Sequence, residues 1–410
     1  MNNEESFFDI HCHAMNLSHP NLTAFLQRVN INLFLSSAGI WGPFVEIFQK
    51  KKIERIKNLL SVMENDTANF FLLMEYYLRT KGLVENNTFE VEGRSYKKIV
   101  LTPLMMDFGS KHTHSGTFYN IPPQKPIVEQ VVDVFNGIAK YSKYEMVVGD
   151  NKVSLKEVKK EDKLFEIYPF LGINTQNYDI QRITDMLDKY FSKYNGNRLE
   201  FYDTMGRFTG NIENLGNNVF AGIKVYPPLG FDPWPDDYKQ RERVEAIYER
   251  CYKKNIPITT HCNDGGFRTE TKSNAKDFTN PSRWDAVLKK YPTLKLNFAH
   301  FGKQKKTLCF IPQKKWEGTI LELMANYKNV YADFSYNGCE KEEYYKYLQK
   351  LLEKNPDVKE RILFGSDFMI NLTGIDSYND YLESFATSQS ISMDDKHIFC
   401  SINPSRFLFG

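Results

Sequence analysis

The feature that most constrains the fold is a regular alternation of short apolar segments with amphipathic helical segments. A strand-like run at Tyr168 to Asn174 is followed by apolar residues at helical spacing from Ile180 to Phe191, and this pattern repeats to the end of the chain. Strands joined through helices pair in parallel, with right-handed connections. With two earlier apolar runs, the predicted strands lie at residues 7–13, 98–108, 168–174, 219–226, 256–261, 294–300, 330–335 and 361–368.

Eight strands alternating with helices predict an α/β fold, and specifically a closed (β/α)8 barrel of the TIM type. Such barrels can exceed about 400 residues as one domain, so we treat residues 1–410 as a single barrel domain. The alternative is an open, doubly wound sheet. No glycine-rich phosphate-binding loop follows any predicted strand, so a nucleotide-binding version of that fold has no support.

Two long stretches interrupt the repeat. Residues 14–95 contain helix-like segments at Phe44 to Leu60 and Ala68 to Leu78, and we interpret the stretch as a helical cap inserted after the first strand. A separate small domain is the alternative. A second insertion is predicted after the second strand, over residues 109–165, where the loop at 109–116 carries an H-x-H pair that we read as exposed or as part of a lid.

The composition excludes several classes of partner. The 53 basic and 51 acidic residues leave a net charge of +2, which gives no electrostatic footprint for nucleic acid or an anionic membrane. No apolar run approaches the ~20 residues of a membrane helix, and the polar N-terminus does not resemble a signal peptide. The six cysteines form no C-x-x-C pair and are expected to be reduced and mostly buried. A cytoplasmic protein acting on a small molecule is therefore expected, and a homo-oligomer is compatible with this.

Ionisable side chains recur where the predicted strands end, and the carboxyl ends of barrel strands form the active-site face. Two of these residues, His11 and His13, end the first strand on the same face because strand side chains alternate. Paired imidazoles of this kind can bind Zn, Fe, Ni or Mn. The full set of candidate site residues is His11, His13, Lys224, His261, His300 and Asp367.

The motifs around these residues resemble the amidohydrolase superfamily of metal-dependent barrel enzymes. The resemblance is to its branch of hydrolases and non-oxidative decarboxylases, and it covers both ends of the chain and most of the C-terminal half. The segments that carry it are DIHCH (9–13), GIKVYPPLGF (222–231), PITTHC (257–262), NFAH (297–300), NVYADFS (329–335), ILFGSDF (362–368) and NPSRFLFG (403–410).

This resemblance implies roles for the candidate residues. His11, His13, His261 and Asp367 would bind one or two divalent transition metal ions, with Zn expected first and Mn, Fe or Ni as alternatives. Asp367 would also act as general base and then acid beside a metal-bound hydroxide. For His300 the family pattern offers a second metal or the substrate carbonyl, and we favour polarisation of a substrate oxygen at a mononuclear site.

Lys224 is the residue whose role the sequence leaves open. A bare ammonium inside a buried strand is costly unless it is paired. It could be carboxylated and bridge two metals, it could bind a substrate carboxylate, or it could form an ion pair with Asp9 or Asp333 inside the barrel.

The sequence therefore supports a metal-dependent hydrolase acting on an ester, lactone or amide of a small molecule. The first alternative is a non-oxidative decarboxylase or hydratase that uses the same site. The alternative from another class is a non-catalytic barrel that uses residues 14–95 as an interaction surface. The substrate itself is not identifiable, because specificity in barrels comes from the loops.

Overall fold

A computed structural model of the chain describes residues 6–20, 42–108, 126–149, 152–304 and 314–410. The strands there are β1 (Ser6–Cys12), β2 (Val84–Glu85), β3 (Thr88–Val91), β4 (Arg94–Tyr96), β5 (Lys98–Pro103), β6 (Tyr144–Gly149), β7 (Lys152–Glu157), β8 (Phe165–Ile167), β9 (Phe170–Gly172), β10 (Gly222–Val225), β11 (Ile258–Thr260), β12 (Leu296–Phe298), β13 (Val330–Asp333) and β14 (Ile362–Leu363). The α-helices are α1 (Gly42–Met63), α2 (Thr67–Thr80), α3 (Ile127–Tyr141), α4 (Ile180–Phe191), α5 (Arg198–Thr204), α6 (Tyr238–Lys254), α7 (Lys272–Thr279), α8 (Trp284–Lys290), α9 (Lys315–Asn326), α10 (Glu342–Lys354), α11 (Tyr378–Ala386), α12 (Met393–His397) and α13 (Asn403–Phe409).

Two parallel sheets form the centre of the fold. One has the order β1-β5-β8, and the other runs from β14 through consecutive neighbours to β9. Two isolated parallel bridges connect their edges, Cys12 with Phe368 and Leu104 with Phe170. The predicted α/β fold with parallel strands is confirmed, and each of the eight predicted strands has a counterpart, in β1, β5 and β9 to β14.

The helices of the C-terminal half follow from local signals. In α4 the Asp179 side chain caps the first turn by accepting a hydrogen bond from the Arg182 backbone N–H, and the helix has the predicted bounds. Its Ile183, Leu187 and Phe191 are buried on one face. The helix predicted from Pro281 to Tyr291 is divided into a 3-10 turn at Pro281–Arg283 and α8.

The region between β1 and β5 contains more strand than was predicted. Helices α1 and α2 lie close to the predicted helical segments, but β2, β3 and β4 form a small antiparallel sheet. Its hairpins turn at Asn86-Asn87 and Glu92-Gly93, where the backbone is left-handed. The hairpin β6–β7 and the three-residue strand β8 were also not predicted. The hairpin strands are mostly exposed, so they have no buried apolar face, and β8 is too short to show alternation. His112 and His114 lie outside the described residues.

Apolar side chains of both sheets and of the helices around them form one contiguous core. Phe71 and Leu78 of α2 belong to this core, so the inserted helices pack on the same apolar interior as the strands. Among the described helices, none combines the length and the apolar character needed to cross a bilayer.

Candidate active site

The two histidines of β1 converge on one carboxylate from the far end of the chain. His13 Nε2 lies 3.1 Å from Asp367 Oδ1, and His11 Nε2 lies 3.3 Å from the same oxygen. The three residues are buried, with relative exposures of 1% for His11, 3% for His13 and 5% for Asp367. The predicted common face of the two imidazoles is therefore present.

Hydrogen bonds on the other ring nitrogens fix the orientation of both imidazoles. His13 Nδ1 is 2.9 Å from the carbonyl oxygen of Leu104, so this nitrogen carries the proton and donates it. His11 Nδ1 is 3.1 Å from Asp333 Oδ2, a carboxylate–histidine pair of the kind found behind metal ligands. Each Nε2 faces Asp367, where it either shares a proton with the carboxylate or, in the neutral ring, offers a lone pair. Two imidazole nitrogens and a carboxylate oxygen gathered in this way are a donor set that fits a metal ion.

The backbone around Asp367 explains how the carboxylate reaches β1. Its backbone N–H donates to the His11 carbonyl oxygen over 2.6 Å, and its φ of 60° lies in the left-handed region. At Gly365 a side chain has no room, because a Cβ there would lie 2.7 Å from the His11 Cβ. Burial acts to raise the pKa of Asp367, but hydrogen bonds with His11 and His13 outweigh it and hold the pKa well below its usual range.

His261 and His300 form the other side of the site. His300 Nε2 lies 3.2 Å from His261 Nδ1, and the Tyr226 ring stacks on His261 with centroids 4.4 Å apart. Burial lowers the pKa of His300 to about 4 and that of His261 well below its ordinary value, where the charges of His300 and Lys224 act in the same direction. Both rings are therefore neutral near pH 7, the form that binds metals.

Sequence reasoning missed how much of this arrangement depends on Asp333 and Ser335. Asp333 accepts from the Asn297 side-chain amide at 2.7 Å and from the His300 backbone N–H at 3.1 Å, in addition to its contact with His11. Ser335 Oγ lies 2.9 Å from His11 Nδ1 and 3.0 Å from His300 Nδ1. The position of Asp333 at the end of β13 was the available signal, but the sequence suggested it only as a partner for Lys224.

The structure brings five of the six candidate residues into direct contact. Ligand atoms of His11, His300 and Asp367 all lie within 4.8 Å of one another, which suits one metal ion. His13 touches this cluster through Asp367, and His261 touches it through His300. The predicted ligand His261 is thus less central, and the predicted electrophile His300 more central, than the sequence suggested. Which of these residues bind metal stays a prediction.

Lys224 faces the same site but touches none of these groups. Its relative exposure is 1%, and within the described part of the chain its Nζ has no hydrogen-bond partner. Burial lowers the pKa of Lys224 to about 8, and the charges of Asp333 and Asp367 oppose that shift. Neither of the suggested ion pairs forms. Asp9 instead accepts hydrogen bonds from the Ser366 hydroxyl at 2.6 Å and the Tyr378 hydroxyl at 3.1 Å.

Comparisons with known proteins show what the chain is similar to. The family model for amidohydrolases matches residues 211–410, a range that contains Lys224, His261, His300 and Asp367. No curated protein matches the chain in sequence. The fold is similar to that of 5-carboxyvanillate decarboxylase from Novosphingobium aromaticivorans, with a TM-score of 0.50 and 12% identity over 99% of this chain and 97% of that one.

A second solved structure, a probable 2-pyrone-4,6-dicarboxylic acid hydrolase from Acinetobacter baumannii, aligns with a TM-score of 0.46 and 12% identity over 98% of this chain and 99% of that one. The family match confirms the resemblance to the amidohydrolase superfamily. Residues 211–410 match amidohydrolases, which are enzymes, so the hypothesis of a non-catalytic barrel is set aside.

Proposed function

We propose that this chain is a metal-dependent hydrolase that cleaves an ester, lactone or amide bond of a small molecule. The proposal includes a closed (β/α)8 barrel, in which the edge bridges Cys12–Phe368 and Leu104–Phe170 join the two sheets, and a helical cap formed by residues 14–95. Fold similarity over almost the whole chain, at a TM-score of 0.50, supports this architecture.

One observation carries the proposal. The Nε2 atoms of His11 and His13 lie 3.3 and 3.1 Å from one carboxylate oxygen of Asp367, and all three residues are buried. Imidazole nitrogens and a carboxylate oxygen that converge on one buried point are the donor set of a transition-metal site. We infer that His11, His13 and Asp367 bind a divalent metal together with His261, whose buried Nε2 has no partner among the described residues.

Imidazole and carboxylate ligands suit Zn best, and Mn, Fe and Ni remain alternatives. The structurally similar decarboxylase from Novosphingobium was crystallised with manganese, which puts Mn next to Zn in any loading experiment. When bound, such an ion supplies Lewis-acid activation of water and of the substrate carbonyl.

The chain's own residues would then handle protons and orientation. Asp367 is ionised near neutral pH, so its carboxylate can accept the proton of the attacking water and return it to the leaving group. His300 has a ligand atom within 4.8 Å of those of His11 and Asp367 and would polarise the substrate oxygen. Asp333 holds the His11 ring in place from behind, which keeps the geometry fixed during turnover.

The test is a hydrolysis assay on protein loaded separately with Zn and with Mn, using a panel of aryl esters, lactones and anilides. The wild type should hydrolyse at least one class, and Asp367→Asn should lower kcat by about a thousandfold because the proton acceptor is lost. The matched control is Asp185→Asn, an exposed aspartate of α4, which should stay within about twofold of the wild type. Loaded protein that hydrolyses nothing in the panel would overturn the proposal.

A non-oxidative decarboxylase is the second candidate, because the buried ammonium of Lys224 is suited to hold a carboxylate beside the metal site. Carbon dioxide release from a panel of aromatic acids distinguishes it. Release without ester, lactone or amide cleavage would replace hydrolysis with decarboxylation while leaving the metal site intact.

A further inference from the structure

Lys224 is a buried cation that the hydrolytic roles above do not use. It lies on β10, in register with Gly172 of β9 and Thr259 of β11, so strands flank it on both sides. Its side chain is 1% exposed, and the Nζ is without a hydrogen-bond partner in the described ranges. An ammonium left unpaired in such a place is destabilising by several kcal/mol.

The charge of Lys224 acts on the site rather than on the exterior of the barrel. Its charge acts to lower the pKa of His11, His13, His261 and His300, so all four imidazoles lie within its electrostatic reach. The Nζ also lies 5.8 Å from the centre of the Tyr226 ring, the ring that stacks on His261. The ammonium therefore lies on the same side of the site as His261.

The acids nearest to Lys224 are already engaged by other donors. Asp333 accepts from Asn297 and from the backbone of His300, besides its contact with His11. The Asp367 carboxylate faces His11 and His13. Because these acids make their close contacts with other groups, neither pairs with Lys224 among the described residues, and a ligand from outside the chain can supply the partner that its Nζ lacks.

We propose that Lys224 binds a carboxylate of the substrate, so that the substrate class is an ester, lactone or amide carrying a free carboxylate beside the bond that is cleaved. This inference rests on the proposed hydrolase function and names the kind of substrate it acts on. A carboxylate fixed by Lys224 would orient the scissile carbonyl towards His300 and Asp367. Charge-assisted hydrogen bonds to buried groups are the strong ones, so this contact would also determine specificity.

Binding can be measured independently of turnover. Titration calorimetry on the metal-loaded protein, with malonate, succinate and glutarate as probes, should find at least one that binds. Lys224→Met should weaken that binding by tenfold to a hundredfold, the usual range for a lost charged hydrogen bond. The matched control is Lys295→Met, a buried lysine that bonds the Gly410 carbonyl oxygen instead, and it should stay within about twofold.

Kinetics then separates specificity from catalysis. A neutral ester and its analogue with a terminal carboxylate are compared, and kcat/KM for the anionic ester relative to the neutral one should fall at least tenfold in Lys224→Met. Lys224→Arg should restore part of this preference, because it keeps the charge. Thermal midpoints near that of the wild type show that the variants fold.

Three binding results would overturn the inference: no dicarboxylate binds the wild type, Lys224→Met binds the probes as tightly as the wild type, or inorganic phosphate binds through Lys224 while the dicarboxylates do not. In the kinetic experiment, an unchanged preference for the anionic ester in Lys224→Met would overturn it as well. Lys224 as a carboxylated bridge between two metals would also overturn it, and would show as about two metal ions per chain that fall in both Lys224→Met and Lys224→Arg. Lys224-dependent dicarboxylate binding without any hydrolysis would instead refute the hydrolase function and leave the carboxylate site standing.

Discussion

The two halves of the chain contribute to the site in different ways. From β9 onward, short buried strands alternate with helices and deliver site residues one at a time: Lys224 on β10, His261 after β11, His300 after β12 and Asp367 after β14. The N-terminal part delivers His11 and His13 from β1 and the residue after it, and much of the remainder up to β5 belongs to the predicted insertion. The candidate site residues therefore lie where parallel strands end, whatever length of chain separates one strand from the next.

A buried polar network joins the predicted insertion to α3 and to the residues before β8. Glu75 of α2 is buried and pairs with Lys163 at 2.8 Å, while Tyr141 of α3 donates to the same carboxylate at 2.5 Å. The predicted insertion approaches the site where the Phe70 ring stacks on Phe368, the residue after Asp367, with centroids 5.4 Å apart. The comparison therefore predicts that changes in the insertion alter stability, whereas changes at strand ends alter metal binding and rate.

The largest expected effect is at the strand ends themselves. His11→Asn should lose most of the bound metal and about a thousandfold or more of the hydrolytic rate, because a ligand held by Asp333 is removed. His300→Asn should retain the metal and lower kcat about a hundredfold, as expected for an electrophile. Elemental analysis and kcat are the measurements, and His397→Asn, whose ring contacts Tyr96, is the control. Loss of metal in His300→Asn would make His300 a ligand.

The next effect tests the insertion. Glu75→Gln leaves Lys163 buried without its anionic partner and should lower the free energy of unfolding by about 3 kcal/mol, since breaking a buried ion pair is strongly destabilising. Metal content and kcat should stay near the wild-type values. Chemical denaturation measures the loss, and the exposed Glu64→Gln on the same insertion should change stability by less than about 0.5 kcal/mol. Metal loss in Glu75→Gln would contradict the prediction that residues of the insertion affect stability without affecting metal binding at the strand ends.

A smaller effect concerns pH. Burial raises the pKa of Asp9 from 3.8 to about 6, against the hydrogen bonds from Ser366 and His11 that lower it. A carboxyl whose pKa is higher in the folded than in the unfolded state binds its proton more tightly in the folded state. Its contribution to the free energy of unfolding is therefore fully present below pH 4 and is lost as the pH rises to 6. Relative to Asp9→Asn, which cannot titrate, the wild type should lose about 2 to 3 kcal/mol of stability over this window. Denaturation curves at pH 4 and 6.5 measure the difference, and equal changes in both proteins would contradict the assignment.

The smallest effect compares two glycines of the C-terminal half. Gly365→Ala places a methyl group 2.7 Å from the His11 Cβ and should be destabilising by about 1 to 3 kcal/mol, with weaker metal binding because β1 is displaced. Gly318→Ala in α9 meets no atom within 4 Å and should be stabilising by about 0.5 to 1 kcal/mol, the helix preference for alanine. Thermal midpoints of both variants test the pair, and a neutral Gly365→Ala would show that β1 and the 365–367 segment can separate.

Much of the fold could be predicted because its signals are local. The bounds of α4 follow from its capping aspartate and from apolar residues at helical spacing, and the strands that precede His261 and His300 are apolar runs with flanking turns. Strand β8 could not be predicted, because Phe165–Ile167 is too short to show a period and is recognisable only by its pairing with β5.

The candidate site, like the fold, could be predicted only in part. Strand alternation gave the common face of His11 and His13, and the motifs gave the other candidates. The role of Asp333 behind His11, and the close contact of His300 with His261, depend on left-handed backbone at His300 and on pairing between strands far apart in sequence. Neither could be deduced from residue order.

The sequence by itself determined which residues stand at strand ends, because period and side-chain alternation are properties of neighbouring residues. Only the tertiary structure decided which of them meet, because contacts between residues more than 300 positions apart, such as His11 with Asp333 and Asp367, depend on how the strands pair and close on one another. The tertiary structure also decided that Lys224 Nζ has no hydrogen-bond partner among the described residues, because the packing around a buried charge sets which groups can reach it.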